Sequence, residues 1–165
     1  MHKDDLSREP QIKLWGITPS AVRDCSTYQF RYVALSKLEF HNKTRNFTRW
    51  ARKTGLNDSL LENAVLEIKR GLREADLGGG IVKKRIALPG RGKRGSTRTL
   101  LATNLDDRWI FVFGFEKNER ENISENELAI LKMLAKDLLG MTAAQITIAI
   151  GEDSLVEVKH EACKV

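Results

Sequence analysis

Acidic residues are missing from the stretch Ile81–Leu101, IVKKRIALPGRGKRGSTRTLL, although the chain carries 22 of them. Cysteine is scarce as well. Cys25 and Cys163 stand near opposite ends, form no metal-ligand spacing, and read as two free thiols in a reducing compartment. The histidines His2, His41 and His160 are too scattered for a catalytic triad or a zinc site. No apolar run approaches the roughly 18 to 20 residues of a membrane span. The N-terminal MHKDDLSREPQ is polar and partly acidic, unlike a secretory signal or a transit peptide. Nucleotide-loop signatures are absent too. Gly78-Gly79-Gly80 precedes a strand pattern, and GRGKRG lacks the GK[ST] order and lies between strands. These absences set the expectation of a cytoplasmic protein with no membrane association, metal or cofactor.

What is present is ordinary in bulk and uneven in distribution. The 165 residues suit one domain with room for an arm, and 41% hydrophobic with 30% charged content is that of a globular protein. Residues 37–140 hold 21 basic and 14 acidic side chains, whereas residues 141–165 hold two and four. The net charge of +6 therefore belongs to the middle of the chain. A basic folded body points to an anionic partner: nucleic acid first, with a membrane surface or an acidic protein as alternatives.

Residues 1–36 show no sustained period and are expected to form an extension, loosely ordered or only partly docked; residues 37–165 form the domain. A short strand is expected around Lys37–His41. KTRNFTRWARKTG predicts a helix with Phe47, Trp50 and Ala51 on one face, Arg45, Arg49 and Arg52 or Lys53 on another, and Gly55 as its stop. A second helix is expected from Ser59, with Glu62 completing a capping box. Its stripe is Leu61, Val65, Ile68 and Leu72, it ends at ADLGGG, and it forms an antiparallel hairpin with the first. Three strands follow as an antiparallel meander: IVKKRIAL, STRTLLATN and RWIFVFGFEKN. The third reads as central, with Trp109, Phe111, Phe113 and Phe115 on one face and Ile110 and Val112 on the other. Ser124 with Glu127 opens another capped helix, and TAAQITIAI and SLVEVKH finish the chain as a short helix and a strand. The fold class is α+β, with a helical hairpin on a small antiparallel sheet and a C-terminal helix.

The chemistry resides in the cations. Strand periodicity puts Lys83 and Arg85 on one face and Lys84 on the other. Arg98 on the next strand reaches the same patch if it shares that face, and FEKNER delivers Lys117 and Arg120 nearby. Such a group can hold a phosphodiester and stabilise its extra charge during transfer. If RNA supplies its own 2′-hydroxyl, a lysine among cations serves as base. Arg91, Lys93, Arg94 and Lys84 would grip RNA phosphates. The plainer alternatives are a solvated strand face, a wet loop, or a binding module without catalysis. Arg45, Arg49 and Lys53 are either a solvated helix face or an extension of a nucleic-acid track.

RNFTRWARKTGL, then EIKRGLREADLGGGIVKKRIALPGRGKRGSTRTLLAT, then RWIFVFGFEKNERENI, make the run from about Leu38 to Glu161 resemble the RelE/ParE superfamily of toxins from type II toxin–antitoxin modules, in a HigB-like or RelE-like branch. The resemblance implies a small basic toxin, a ribosome-dependent and metal-independent mRNA endoribonuclease. It also implies a cognate antitoxin, often a helix-turn-helix protein from the same operon. Lys83 and Arg85 match the basic pair of the first meander strand, Arg98 the arginine after the loop, and Lys117 and Arg120 the basic motif ending the central strand. One type of member has arginine at the position of Asn118 and a catalytic tyrosine at that of Ser124, so the resemblance leaves the general-acid role to Lys117 or Arg120 here. Residues 1–36 have no counterpart. A ParE-like poison of topoisomerase and a non-catalytic RNA-binding module are the rival functions.

Overall fold

The computed structural model describes residues 39–92 and 95–159. The expected extension, both cysteines, Lys93 and Arg94 lie outside those residues. In chain order the elements are β1 (Phe40–Thr44), α1 (Arg45–Thr54), α2 (Asp58–Lys69), β2 (Ala75–Gly78), β3 (Ile81–Ile86), β4 (Thr97–Thr103), β5 (Arg108–Glu116), α3 (Glu125–Leu139), α4 (Ala143–Gly151) and β6 (Leu155–Glu157).

Local chemistry accounts for most of the boundaries. Thr44 caps α1 by accepting the Phe47 N–H at 3.3 Å, and Gly55 ends it in the left-handed region. Asn57, two residues before the expected Ser59, caps α2 by accepting the Leu60 N–H at 2.9 Å. The α2 helix stops at Lys69 rather than running on to the glycine triplet, and Leu72 is left exposed. Residues Ala75–Gly78 form a strand instead, turning through Gly78, Gly79 and Gly80 into β3. All three glycines have positive φ, a turn that residues with a Cβ make only under strain. Both C-terminal helices open with complete capping boxes, Ser124 with Glu127 and Thr142 with Gln145.

Among the described residues the sheet has six strands in the order β2-β3-β4-β5-β1-β6. The meander β3-β4-β5 is antiparallel as expected, and β5 is interior. The sheet as a whole is mixed, not antiparallel. The chain enters through β1, three residues beyond the expected strand position, and β1 runs parallel to β5. Helices cover both faces. On one, α1 and α2 bury Phe47, Leu61, Val65 and Ile68 against Val82, Leu101, Trp109 and Phe111. On the other, α3 and α4 bury Leu131, Ala135, Leu138 and Ile146 against Ile81, Leu100, Ile110 and Val112. Each N-terminal helix finds its main partner in the sheet, α1 on β5 and α2 on β3, rather than in the other helix. Among the described residues no single helix is long and apolar enough to cross a membrane.

The aromatic strand departs from simple alternation. Leu100 pairs with Phe113 but Leu101 pairs with Phe111, so Val112 is an extra residue, a β-bulge. The bulge inverts the facing of everything after it. Trp109 and Phe111 point into the α1/α2 core, whereas Phe113 joins the α3/α4 side. The stripe expected on one face is thus split between two.

Candidate functional site

Cross-strand partners share a face, so register decides which cations meet. Lys83 pairs with Leu100, Arg85 with Arg98, and Arg98 with Phe115. Leu100 belongs to the α3/α4 core, which places Lys83, Arg85, Arg98, Phe113 and Phe115 together on that face. The β5 bulge makes this possible; an unbulged strand would have turned both phenylalanines to the other side. The floor beneath the cations is aromatic, with the Phe113 and Phe115 centroids 6.3 Å apart.

The turn after β5 brings Arg120 over this floor, its guanidinium carbon 5.7 Å from the Phe113 centroid. Arg120 Nη1 donates to both carboxylate oxygens of Glu127 at 2.9 Å. The Ser124 backbone N–H, then Arg120 and the Ser124 hydroxyl, hold the Glu127 carboxyl down to about 2. Ser124 occupies the position where the resemblance places a catalytic tyrosine, but its hydroxyl caps α3 by accepting the Glu127 N–H at 3.2 Å. From the same turn, Asn122 Oδ1 accepts from Lys83 Nζ at 3.3 Å, which ties β3 to the loop that carries Arg120.

At the centre lies a residue that sequence reasoning missed. Glu74 Oε1 accepts from Arg98 Nε at 3.1 Å and lies 3.8 Å from Lys83 Nζ. The acid-free stretch thus receives its carboxylate from the segment leading into β2. The signal was available in the glycine triplet. Reading it as a hairpin turn aligns Ala75 with Lys83 and sets Glu74 beside the basic pair.

The remaining sites divide. Arg85, exposed at the end of β3, donates from Nε to Ser96 Oγ at 2.9 Å. Lys117 is exposed in the turn after β5. Arg91 is half exposed and pairs with Glu116 at 3.0 Å. Lys84 stands apart from the group: only 7% exposed on the opposite face, it lies 2.5 Å from Glu67 Oε2 of α2 and donates to the Leu72 carbonyl at 2.6 Å. Its cation is consumed in joining α2 to the sheet. On α1 the arrangement is reversed. Arg45, Arg49, Arg52 and Lys53 are all exposed, the helix contains no acid, and none of the four is ion-paired among the described residues. No group of three or more His, Cys, Asp or Glu among the described residues has an arrangement suited to a metal ion.

A clustered set of cations from two strands and a turn, over an aromatic floor and beside a capped helix, can hold a tetrahedral anion and stabilise charge gained by it. Comparison with known families agrees with the sequence resemblance. A family model described as the RelE toxin of the RelE/RelB toxin–antitoxin system matches residues 41–158, from within β1 to just past β6. No curated protein matches the chain. With well over half of its length, and every cation of the cluster, inside the matched span, the chain belongs to the RelE toxin family of toxin–antitoxin systems.

Proposed function

We propose that this toxin is a ribosome-dependent mRNA endoribonuclease of the cytoplasm that arrests translation. The observation that carries the reading is the convergence of Lys83, Arg85, Arg98 and Arg120 on one face of the sheet. In the reaction the 2′-hydroxyl of the nucleotide attacks the adjacent phosphorus in line. Its proton passes to a base, the P–O5′ bond breaks, and the 5′-oxygen takes up a proton as it leaves. A 2′,3′-cyclic phosphate and a 5′-hydroxyl result. Arg98 and Arg85 stabilise the charge on the non-bridging oxygens, Lys83 is the candidate base, and Arg120 and Lys117 stand toward the leaving group. RNA is its own nucleophile here, so the protein supplies position and charge.

The exposed cations of α1 with Arg91, Lys93 and Arg94 of the β3–β4 loop supply the wider grip on RNA backbone. The cognate antitoxin, proposed to be a helix-turn-helix protein from the same operon, neutralises the toxin by covering the basic face with acidic, partly disordered chain.

The test is brief induction of the chain in a bacterial host, with mRNA 5′ ends mapped within minutes and Arg98→Ala alongside. In-frame cuts in translated messages are expected with the wild type. Arg98→Ala is expected to reduce them about 10²- to 10³-fold while ribosome association persists. Cleavage by Arg98→Ala at the wild-type rate sinks the site assignment. Growth arrest with intact mRNA and trapped DNA breaks would move the target to a topoisomerase.

A further inference from the structure

A stretch that excludes acid from its own sequence nevertheless has a carboxylate seated at its heart. We infer that Glu74 is a positioning residue, an internal anion that occupies the scissile-phosphate seat between Lys83 and Arg98 and is displaced when RNA binds. The inference rests on the ribonuclease reading for the identity of the displacing phosphate.

Four observations carry it. One Glu74 oxygen, Oε1, serves both cations, at 3.1 Å from Arg98 Nε and 3.8 Å from Lys83 Nζ. A non-bridging phosphate oxygen bound by the same two groups would have to stand in that place. The two cations are largely withdrawn from water, with Arg98 14% and Lys83 13% exposed, whereas Glu74 is 30% exposed and has a way out. Arg98 Nη1 is buried with no hydrogen-bond partner among the described residues, so one carboxylate oxygen leaves the guanidinium unsatisfied, with donors to spare for an incoming phosphate. Finally, Lys83 and the Glu74 backbone have other partners to hold them when the carboxylate leaves. Lys83 remains on Asn122, and the Glu74 backbone N–H donates to the Lys83 carbonyl at 3.0 Å, so a side-chain rotation suffices.

Two consequences follow from elementary physics. Without RNA the carboxylate partly neutralises its two neighbours, which lowers the repulsion between cations packed on one face. With RNA, the affinity is the intrinsic one multiplied by the fraction of molecules in which the seat is free.

The experiment titrates inorganic phosphate into the full chain and follows the Arg98 side-chain Nε–H signal by NMR, in wild type, Glu74→Gln and Glu74→Asp. Half-saturation is expected to fall about tenfold or more in Glu74→Gln, since an amide cannot replace a charge-assisted acceptor. Glu74→Asp, shorter by one methylene but still charged, is expected to fall between the two. It also decides the matter should Glu74→Gln fail to fold. Phosphate affinity unchanged in both variants would overturn the inference. A parallel assay on programmed ribosomes reads KM and kcat, with Glu74→Gln expected to lower KM at unchanged kcat. A fall in kcat accompanied by loss of the acid limb of the pH–rate profile would make Glu74 a base and overturn its role as a stand-in. If phosphate displaces Glu74 as described but the wild type cleaves no RNA, the seat stands and the ribonuclease reading fails.

Discussion

Glu127 shows how a surface residue can govern the site. Its carboxylate accepts the Ser124 N–H at 2.9 Å, capping α3, and holds Arg120 with both oxygens. The carboxyl is depressed from 4.5 to about 2 in the folded chain. A depressed acid contributes stability that is complete above the unfolded value and lost as pH falls through the folded one. The chain is therefore expected to lose stability progressively between about pH 4.5 and 2, and Glu127→Gln to flatten that loss. Denaturant midpoints measured from about pH 5 down to about pH 2 check this; parallel curves for the two proteins would remove Glu127 from the account. The capping role of Glu127 was legible from Ser124 and its spacing. Its grip on Arg120, and the grip of Glu74 on Arg98, were not, because each bond joins segments whose approach only the folded chain defines.

At the scale of elements, α1 is set on the sheet by one close approach. A Cβ on Gly114 would stand 2.1 Å from the Trp50 ring, so only glycine lets the indole lie flat across β5. Gly114→Ala is expected to cost about 1–3 kcal/mol by overpacking. Trp50→Leu in the same background should recover part of it, as read by denaturant unfolding; additive losses would show that the contact is not the cause. Capped helices and the antiparallel meander were readable because their signals are local: Ser124 with Glu127, Gly55, and the turn residues between strands. The end of α2 was misjudged for an equally local reason. Gly71, at φ +85°, stops the helix ahead of the more conspicuous triplet, which makes a hairpin. The bulge at Val112 has no sequence signature of its own. It appears as the mismatch between β4 and β5, and it decides which aromatic residues underlie the cations.

Across the whole molecule, charge is sorted by whether it has a partner. Lys83 and Arg98 share Glu74, Arg120 has Glu127, Arg91 has Glu116 and Lys84 has Glu67. The four α1 cations have none among the described residues. A run of cations without ion pairs among the described residues thus lies on α1, across the sheet from the candidate site, and only a large polyanion could engage both. Arg49→Glu with Arg52→Glu is expected to weaken ribosome association and to shallow its log–log salt dependence by about one for each phosphate that is no longer neutralised. Cleavage at saturating ribosomes should persist. An unchanged salt slope would return α1 to the status of a solvated face.

By itself the sequence determined the family, the basic character of the middle segment, the helices with their caps and the order of the meander, because composition, periodicity and capping act over a few residues. It also determined that Lys83 and Arg85 share a face, through the two-residue period of a strand. Only the tertiary structure decided that the sheet is mixed, that Lys84 is spent on α2, and that Phe113 and Phe115 lie under Arg98 and Arg120. The same holds for the carboxylate brought by Glu74 into the acid-free stretch. Each of these depends on register between strands or on packing across a layer, and such pairings join residues far apart in the chain.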